Sequence, residues 1–545
     1  MDLVADSGAV LVIGEEIVKR NIEKTSLSMN RRAFIRGASL AAATTGLAIS
    51  RPIIALPGEA RNHPKPVAQI ELDLNHIHKW DDSNGDTWDP FWADDDGIYS
   101  FNCDGRGFGK APRNLAFNRF EGTGIEELQG FQLNSMDEYG PSDQHGPDNA
   151  TWKACGQECI NGVFYAFVSR NVYGHESHDP LLRQTAFNSS LIKSEDRGRT
   201  WVRSAADNYA RPMWSGPSFG APFFVHYGKN GGSLSTDRSS EYVYAVSTNG
   251  FWNDGDSLIL GCVPRREIPQ LDASRWEYFK GGNGLSNGAW SPQISDAQPI
   301  LKSPARCGQG PITYIPTLDV FLLISWYNPR PLRKWYQPDE MKYDFYQAEH
   351  PWGPWTLLSS FSDRFLAAGS NMYGPALCPK FQKAEGDGTR VILFTSGCQF
   401  EDKPSGIYKA WCIPVLLHST VFPPARSIKY DDPRITRKGD WTELTFAANR
   451  GDDVLTGNGA DASISLSFEG SGIEYIARKA ARFGDVEIVV DNRQSATVSL
   501  GIRNFPVLSG VSMFRMLNLN GKQHSLKLKS LGNGPINLQS FTIYE

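Results

Sequence analysis

"SLIKSEDRGRTW", residues 190–201, runs from an apolar stretch through an acidic turn to Gly198 and then to Thr200 and Trp201. A carboxylate in such a turn accepts backbone N–H bonds, a glycine supplies positive φ, and the tryptophan packs between sheets. Asp196 is therefore read as the staple of a tight hairpin and not as a catalytic acid. The stretch decides the fold because it marks a sharp corner between two strands, and comparable corners recur along the chain.

From about residue 85 the sequence repeats a theme without repeating its letters. An apolar stretch ends in Gly or Asp, a β-rich stretch with alternating aromatics follows, and a third strand leads to a turn and a Trp. Five such units are legible. They begin with "DPFWADDDGIYSFNCDG" (89–105) and "TWKACGQECINGVFYAFVSR" (151–170) with the opening stretch. "FGAPFFVHYG" with "EYVYAVSTNGFW", "GPITYIPTLDVFLLISWY" with "YDFYQAEHPWGPWTLLS", and "YGPALCPKF" with "TRVILFTSG" and "IYKAWCIPVLL" complete them. Short antiparallel strands with Gly-rich turns in units of this size predict an all-β, five-bladed β-propeller over residues 65–425. A matching "GP" or "APF" entry strand in units three, four and five favours that over a sandwich. Ser194-x-Asp196-x-Gly198-x-Thr200-Trp201 resembles the Asp-box of sialidase-like propellers, and "HPWGPW" (350–355) is read as the same corner of the fourth unit.

After "VFPPARSIKYDD" the texture changes to period-2 alternation in "ASISLSFEGSGIEYIARK", "DVEIVVDNRQSATVSL", "HSLKLKSLG" and "INLQSFTIYE". This predicts a C-terminal β-sandwich of jelly-roll type over residues 430–545. It resembles the carbohydrate-binding modules appended to exported glycosidases; a packing or wall-anchoring role fits it equally.

Composition narrows the function. Of 545 residues, 40% are hydrophobic and 21% charged, which is ordinary for a globular chain, and 52 Gly with 33 Pro favour short strands over long helices. A net charge of -5 gives no reason to expect nucleic acid as a partner. Met29-Asn30-Arg31-Arg32-Ala33-Phe34-Ile35-Arg36, followed by the uncharged run Gly37 to Ser50, reads as a twin-arginine-type signal peptide. Residues 1–60 are accordingly expected to be leader, with translation starting at Met29. The mature protein is expected to be exported, periplasmic or extracellular, off the membrane, and a monomer. Eight cysteines are too thinly spread for a disulfide framework, so buried thiols or one local Cys155–Cys159 bridge are expected. No metal and no cofactor are expected, and nothing in the sequence indicates a structural calcium: Asp94 to Asp96 in "WADDDGIY" lack the spacing of a calcium loop and read as an exposed hairpin.

In a propeller the innermost strands line a central funnel, so their carboxylates are the ones to weigh. Asp89 stands before Pro90, Asp104 closes "NCDGRGFG" where Gly105 and Gly107 let the backbone bend, and Asp148 opens "GPDNATWK". Together they supply a proton donor, a base or nucleophile, and a third group that separates their pKa values, which is what glycoside hydrolysis requires. Turn caps or strand-end hydrogen bonds are the plainer reading of each alone. Substrate-binding candidates are His145, Lys153, Arg170, Arg183 with Gln184, Trp252, Asp254 and Tyr373. Arg would clamp a carboxylated sugar and Trp would stack on a sugar face, although both also serve in packing between sheets. No G-x-S-x-G elbow and no nucleotide loop is present.

"GPDNATWKACG", "NGVFYAFVSR", "RQTAFNSSLIKSEDRGRTW", "YVYAVSTNGFWNDGDSLILGCVP" and "HPWGPWTLL" resemble the family called domain of unknown function 4185 over most of residues 70–420. The resemblance implies an exported, glycan-active five-bladed propeller, some relatives being endo-D-arabinofuranosidases, and it points to Asp89 and Asp104 as pocket members. Asp89-Pro90 also resembles the general base of the five-bladed arabinanase and xylosidase clan. That clan's glutamate acid has no counterpart in "SFGAPFFVHYG", which leaves the general acid open.

The expected activity is a glycoside hydrolase acting on a polysaccharide or oligosaccharide. The alternatives are a polysaccharide lyase, with His145 or Tyr373 abstracting a proton and Arg170 or Arg183 neutralising a uronate, and a non-catalytic glycan-binding protein.

Overall fold

A computed structural model describes residues 66–204, 211–234, 237–329, 340–367, 370–397, 406–445, 453–520 and 522–545. The expected leader and Cys398 lie outside the described residues. Among the described residues the fold is all-β, with short 3-10 turns and no α-helix. No described helix is long and apolar enough to cross a membrane.

Some strands cut from the aromatic-rich units are buried along their whole length. Thr151–Ile160 and Val320–Tyr327 bury every residue, because each lies in a sheet covered by a neighbour on both faces. Ile98–Gly107, Arg113–Glu121 and Gln129–Asn134 form the first sheet, joined by Asn84–Asp86 and Phe91–Trp92. Thr151–Ile160, Val163–Val172, Thr185–Ser194 and Val202–Arg203 form the second. The third starts at Pro222–His226 and continues through Tyr242–Thr248 and Gly255–Pro264. The fourth runs from Ile312–Ile315 through Val320–Tyr327 and Lys342–Ala348 to Thr356–Ser362. Third and fourth sheets are continuous, because Val225 and His226 pair in parallel with Ile312 and Thr313. The fifth sheet holds Tyr373–Glu385, Gly388–Ser396 and Trp411–His418, and its outer edge is completed by the distant N-terminal strand Gln69–Leu72.

The innermost strands touch one another in a closed circuit. Phe91–Trp92 meets Thr151–Ile160, which meets Pro222–His226; that strand pairs with Ile312–Ile315, which meets Tyr373–Glu385, which returns to Phe91–Trp92. Aromatic cores fill the spaces between successive sheets. Phe91, Tyr99, Phe101, Phe117 and Phe164 pack between the first and second, and Trp80, Trp88, Phe120 and Phe394 between the first and fifth.

The opening stretch behaves as its residues require. Asp196 accepts from the Ser194 hydroxyl (2.8 Å), the Thr200 N–H (2.8 Å) and the Thr200 hydroxyl (2.7 Å), while Ser194 Oγ accepts from the Gly198 N–H. Arg197 and Gly198 both take positive φ. Trp201 then lies 5.2 Å from both Phe101 and Phe117, so the turn of the second sheet docks on the first. "HPWGPW" occupies the corresponding corner between Lys342–Ala348 and Thr356–Ser362.

Residues 425–544 make two further antiparallel sheets. One is Ala425–Lys429, Ser540–Tyr544, Gly472–Lys479 and Leu508–Met516; the other is Thr436–Leu444, Val454–Glu469, Gln523–Ser530, Asp485–Val490 and Arg493–Ser499, with Ile536–Leu538. Their first strand opens at Ala425, five residues before the expected boundary. Gln523–Ser530 and Asp485–Val490 bury alternate residues, the one-sided pattern their period-2 sequence predicts. The seven described cysteines are buried free thiols, so the Cys155–Cys159 bridge does not form.

Candidate active site

Asp104 lies near the end of Ile98–Gly107 at φ +48°, a region that non-glycine residues seldom occupy. The backbone bends here because Gly105 packs against Gly85, where an added Cβ would stand 2.4 Å from the Gly85 Cα. The bend delivers Asp104 to Lys153 of the second sheet, and the two form a buried ion pair. Lys153 also donates to the Tyr173 hydroxyl (3.0 Å), which lies 3.0 Å from both Asp104 Oδ2 and Asp143 Oδ1. Asp86 belongs to the same cluster. Its Oδ1 accepts from Thr87 (2.9 Å) and its Oδ2 from the Tyr408 hydroxyl (3.1 Å), which is also 3.0 Å from the Asp104 carbonyl.

Burial first, and the Asp104 charge second, push Asp86 up to about 7. Burial also raises Asp104, against the pull of Lys153. Burial opposes the Lys153 charge, but Asp104 outweighs it and keeps the ammonium protonated. Burial thus raises both carboxyls, and the Lys153 ammonium against Asp104 favours the charged form there. Asp86 and Asp104 are 5% and 8% exposed, and Asp104 Oδ1 has no hydrogen-bond partner. A buried acceptor left open in this way is costly unless a ligand or water satisfies it.

The other predicted acids sit elsewhere. Asp89 is buried against His226: His226 Nε2 lies 3.3 Å from Asp89 and Nδ1 2.7 Å from Glu158, and the Gln157 N–H donates to Asp89 at 3.3 Å. Burial alone would lower His226, yet the Glu158 and Asp89 charges push it up to about 10, so the ring is an imidazolium between two carboxylates. This triad ties the segment just before Phe91–Trp92 to Thr151–Ile160 and Pro222–His226, and Asp89 does not share the Asp104 network. Asp148 is spent on Arg170, which grips it through Nε and Nη2 at 2.8 Å each and stacks 4.3 Å over Trp152.

Of the expected binding residues, Lys153 joins the Asp104 cluster, and His145 borders it, 3.3 Å from Glu176 with its ring 6.3 Å from Tyr173. Arg183 is held by Asp179 (2.9 Å) and Asp256 (3.1 Å) and lies 3.5 Å over Phe251, so its charge is answered within the protein. Gln184 reaches from the second sheet to donate to Tyr373 on the fifth (3.3 Å). Asp254 accepts from the Asn328 N–H (2.6 Å) and from the Asn253 and Asn328 side chains. Trp252 corrects the expectation of a sugar platform: at 1% exposure it packs in the core and offers no free face.

Asp86, Tyr173, Tyr408, Glu158 and His226 were not among the sequence candidates. "SNGDTWDP" places Asp86 three residues before Asp89, but Asn-Gly-Asp reads as a turn and draws the eye to Asp-Pro. Tyr408 lies 322 residues from Asp86 and is brought to it by the closure of the fifth sheet on the first.

No protein-family model and no curated protein matches the chain. Among solved structures it is similar to a "putative hydrolase" from Bacteroides ovatus, at 13% identity over 64% of this chain and 90% of that one, with a TM-score of 0.37. An exo-β-1,3-galactanase from Phanerochaete chrysosporium matches at 12% identity over 74% and 97%, with a TM-score of 0.25. CBM35 from Cellvibrio japonicus Abf62 matches 22% of this chain over 94% of its own length, at 12% identity and a TM-score of 0.19. Likeness this distant leaves the chemistry to be read from the chain's own residues.

Proposed function

We propose that the chain is an exported glycoside hydrolase whose centre is the Asp86–Asp104 pair, set in the mouth of a five-bladed β-propeller that carries a C-terminal carbohydrate-binding-type β-sandwich. The closed circuit of five innermost strands supports the propeller, and the two sheets after Ala425 support the sandwich. Export rests on the signal-like run from Met29 to Ser50.

The observation that carries the chemistry is the asymmetry of the pair. Asp104, charged against Lys153 and with Oδ1 open, serves as general base or nucleophile. Asp86, a buried acid beside that charge, keeps its proton near neutral pH and donates it to the departing glycosidic oxygen. Tyr173 and Tyr408 hold the two carboxyls in place. The substrate at this centre is a neutral glycan. The two arginines a lyase would use on a uronate, Arg170 and Arg183, are neutralised by Asp148, Asp179 and Asp256.

A screen of arabinan, galactan, xylan and polyuronates tests the reading. Reducing ends should appear on a neutral polymer without an ultraviolet-absorbing product. Absorbing, unsaturated ends from a polyuronate would establish a lyase, and binding without any release would establish a glycan-binding protein.

A further inference from the structure

We propose that the cleft between Ala305–Arg306 and Tyr327–Asn328 is a second saccharide subsite, which takes a sugar unit bearing an anionic substituent. The proposal rests on the glycan-cleaving reading only for the ligand's being a sugar.

The cleft has a volume of about 380 Å³, at the lower end of the range for small-ligand sites, and lies where the third and fourth sheets meet. Ala305 enters it at φ +56°, a conformation that disfavours a side chain, and is held there by its N–H bond to Asp256 at 2.9 Å. Such strain persists where surrounding contacts impose it, and it clusters at ligand sites.

Two groups in the cleft have chemistry that the protein leaves unused. Arg306 has no carboxylate partner among the described residues, and its guanidinium centre stands 5.3 Å from the Tyr327 ring. Arg170 and Arg183, by contrast, are each locked to aspartates, and the other cation of the cleft, Lys342, is paired with Glu340. An exposed guanidinium resting on an aromatic ring keeps a planar set of donors free for a carboxylate or phosphate. Asn328 is the second group. Its backbone N–H and Nδ2 both donate to Asp254, at 2.6 and 3.1 Å, which fixes the carboxamide with Oδ1 as the remaining atom. That oxygen has no partner, in a residue only 2% exposed. A sugar hydroxyl is the donor it lacks; an anion alone is not.

The cleft is tied to the second and fifth sheets by polar contacts. Asp256 holds both Ala305 and Arg183, and Arg183 precedes Gln184, whose amide reaches Tyr373 across the ring of sheets.

Calorimetric titration of the full chain at low salt with D-glucuronate, D-glucose 6-phosphate, D-glucose and inorganic phosphate tests this without turnover. The two sugar acids should bind at least about tenfold more tightly than glucose, and whichever binds better identifies carboxylate or phosphate as the preferred substituent. Arg306→Gln should erase the preference with the circular dichroism unchanged, and Asn328→Ala should weaken every sugar. Equal binding of glucose and glucuronate, a preference that survives Arg306→Gln, phosphate binding as tightly as the sugar acids, or no binding of any probe would each overturn the subsite. Binding without hydrolysis of any glycan would leave the subsite standing and remove the proposed reaction instead.

Discussion

At the scale of single residues, the chain separates carboxylates that hold structure from carboxylates left poised. Asp196 spends both oxygens on its own turn, and burial, which would raise its pKa, is outweighed by the Thr200 N–H and hydroxyl. Asp196→Ala should cost about 1 kcal/mol in a denaturant titration, the scale of a net hydrogen bond at a largely solvated site, with turnover unchanged. Asp89 is spent differently. It answers half of a buried imidazolium, so Asp89→Asn should destabilise the fold by about 3–5 kcal/mol, as removal of one partner of a buried ion pair does. A variant that keeps full stability but loses activity would return Asp89 to the chemistry and take the structural role from it. The sequence named Asp89 and Asp104 alike, because an Asp before Pro and an Asp before Gly look equally suited to a strand end. What separates them is the partner each meets, His226 for one and Lys153 for the other, and both partners lie on other sheets.

At the scale of elements, local patterns were legible and long-range pairings were not. The staple at 194–201, the corner at 350–355 and the alternating strands after Ala425 all follow from turn chemistry and period, which act over a few residues. The parallel join of His226 to Thr313 and the pairing of Gln69–Leu72 with Trp411–His418 depend on chain closure over long separations, which no local pattern records. That last pairing also clips the C-terminal sheets in place. Glu71 receives the Arg515 guanidinium (2.6 Å) and faces His418 (3.3 Å), which also bonds Asp387 (3.0 Å). The bond to Glu71, ahead of the opposing effect of burial, holds His418 above its ordinary 6.5. Burial works to raise Glu71, but His418 and Arg515 hold it below 4.5. A raised histidine stabilises fully below its unfolded pKa and loses that contribution as pH rises through the folded one. A lowered glutamate contributes above its unfolded pKa and loses that on acidification. The seam is therefore strongest from about pH 4.5 to 6.5. Thermal midpoints should fall as pH climbs above about 6.5, and His418→Gln should flatten that decline. An unchanged slope in the variant would place the pH dependence elsewhere.

At the scale of the whole molecule, the closed circuit of innermost strands turns distant residues into neighbours. Asp86 and Asp104 come from the first sheet, Lys153 and Tyr173 from the second, and Tyr408 from the approach to the fifth. Each alone is an unremarkable residue; only the closure brings two buried carboxyls and an ammonium into one cluster. The account is tested most directly by the pH dependence of kcat/KM on a neutral glycan for the wild type, Asp86→Asn and Asp104→Asn. Wild-type activity should fall above about pH 7 as Asp86 loses its proton. Asp104→Asn should lose about 10²–10⁴-fold at every pH while remaining folded, and Asp86→Asn should lose the alkaline limb along with most of its rate. An Asp104→Asn enzyme that hydrolyses at the wild-type rate, or an alkaline limb that survives in Asp86→Asn, would contradict it.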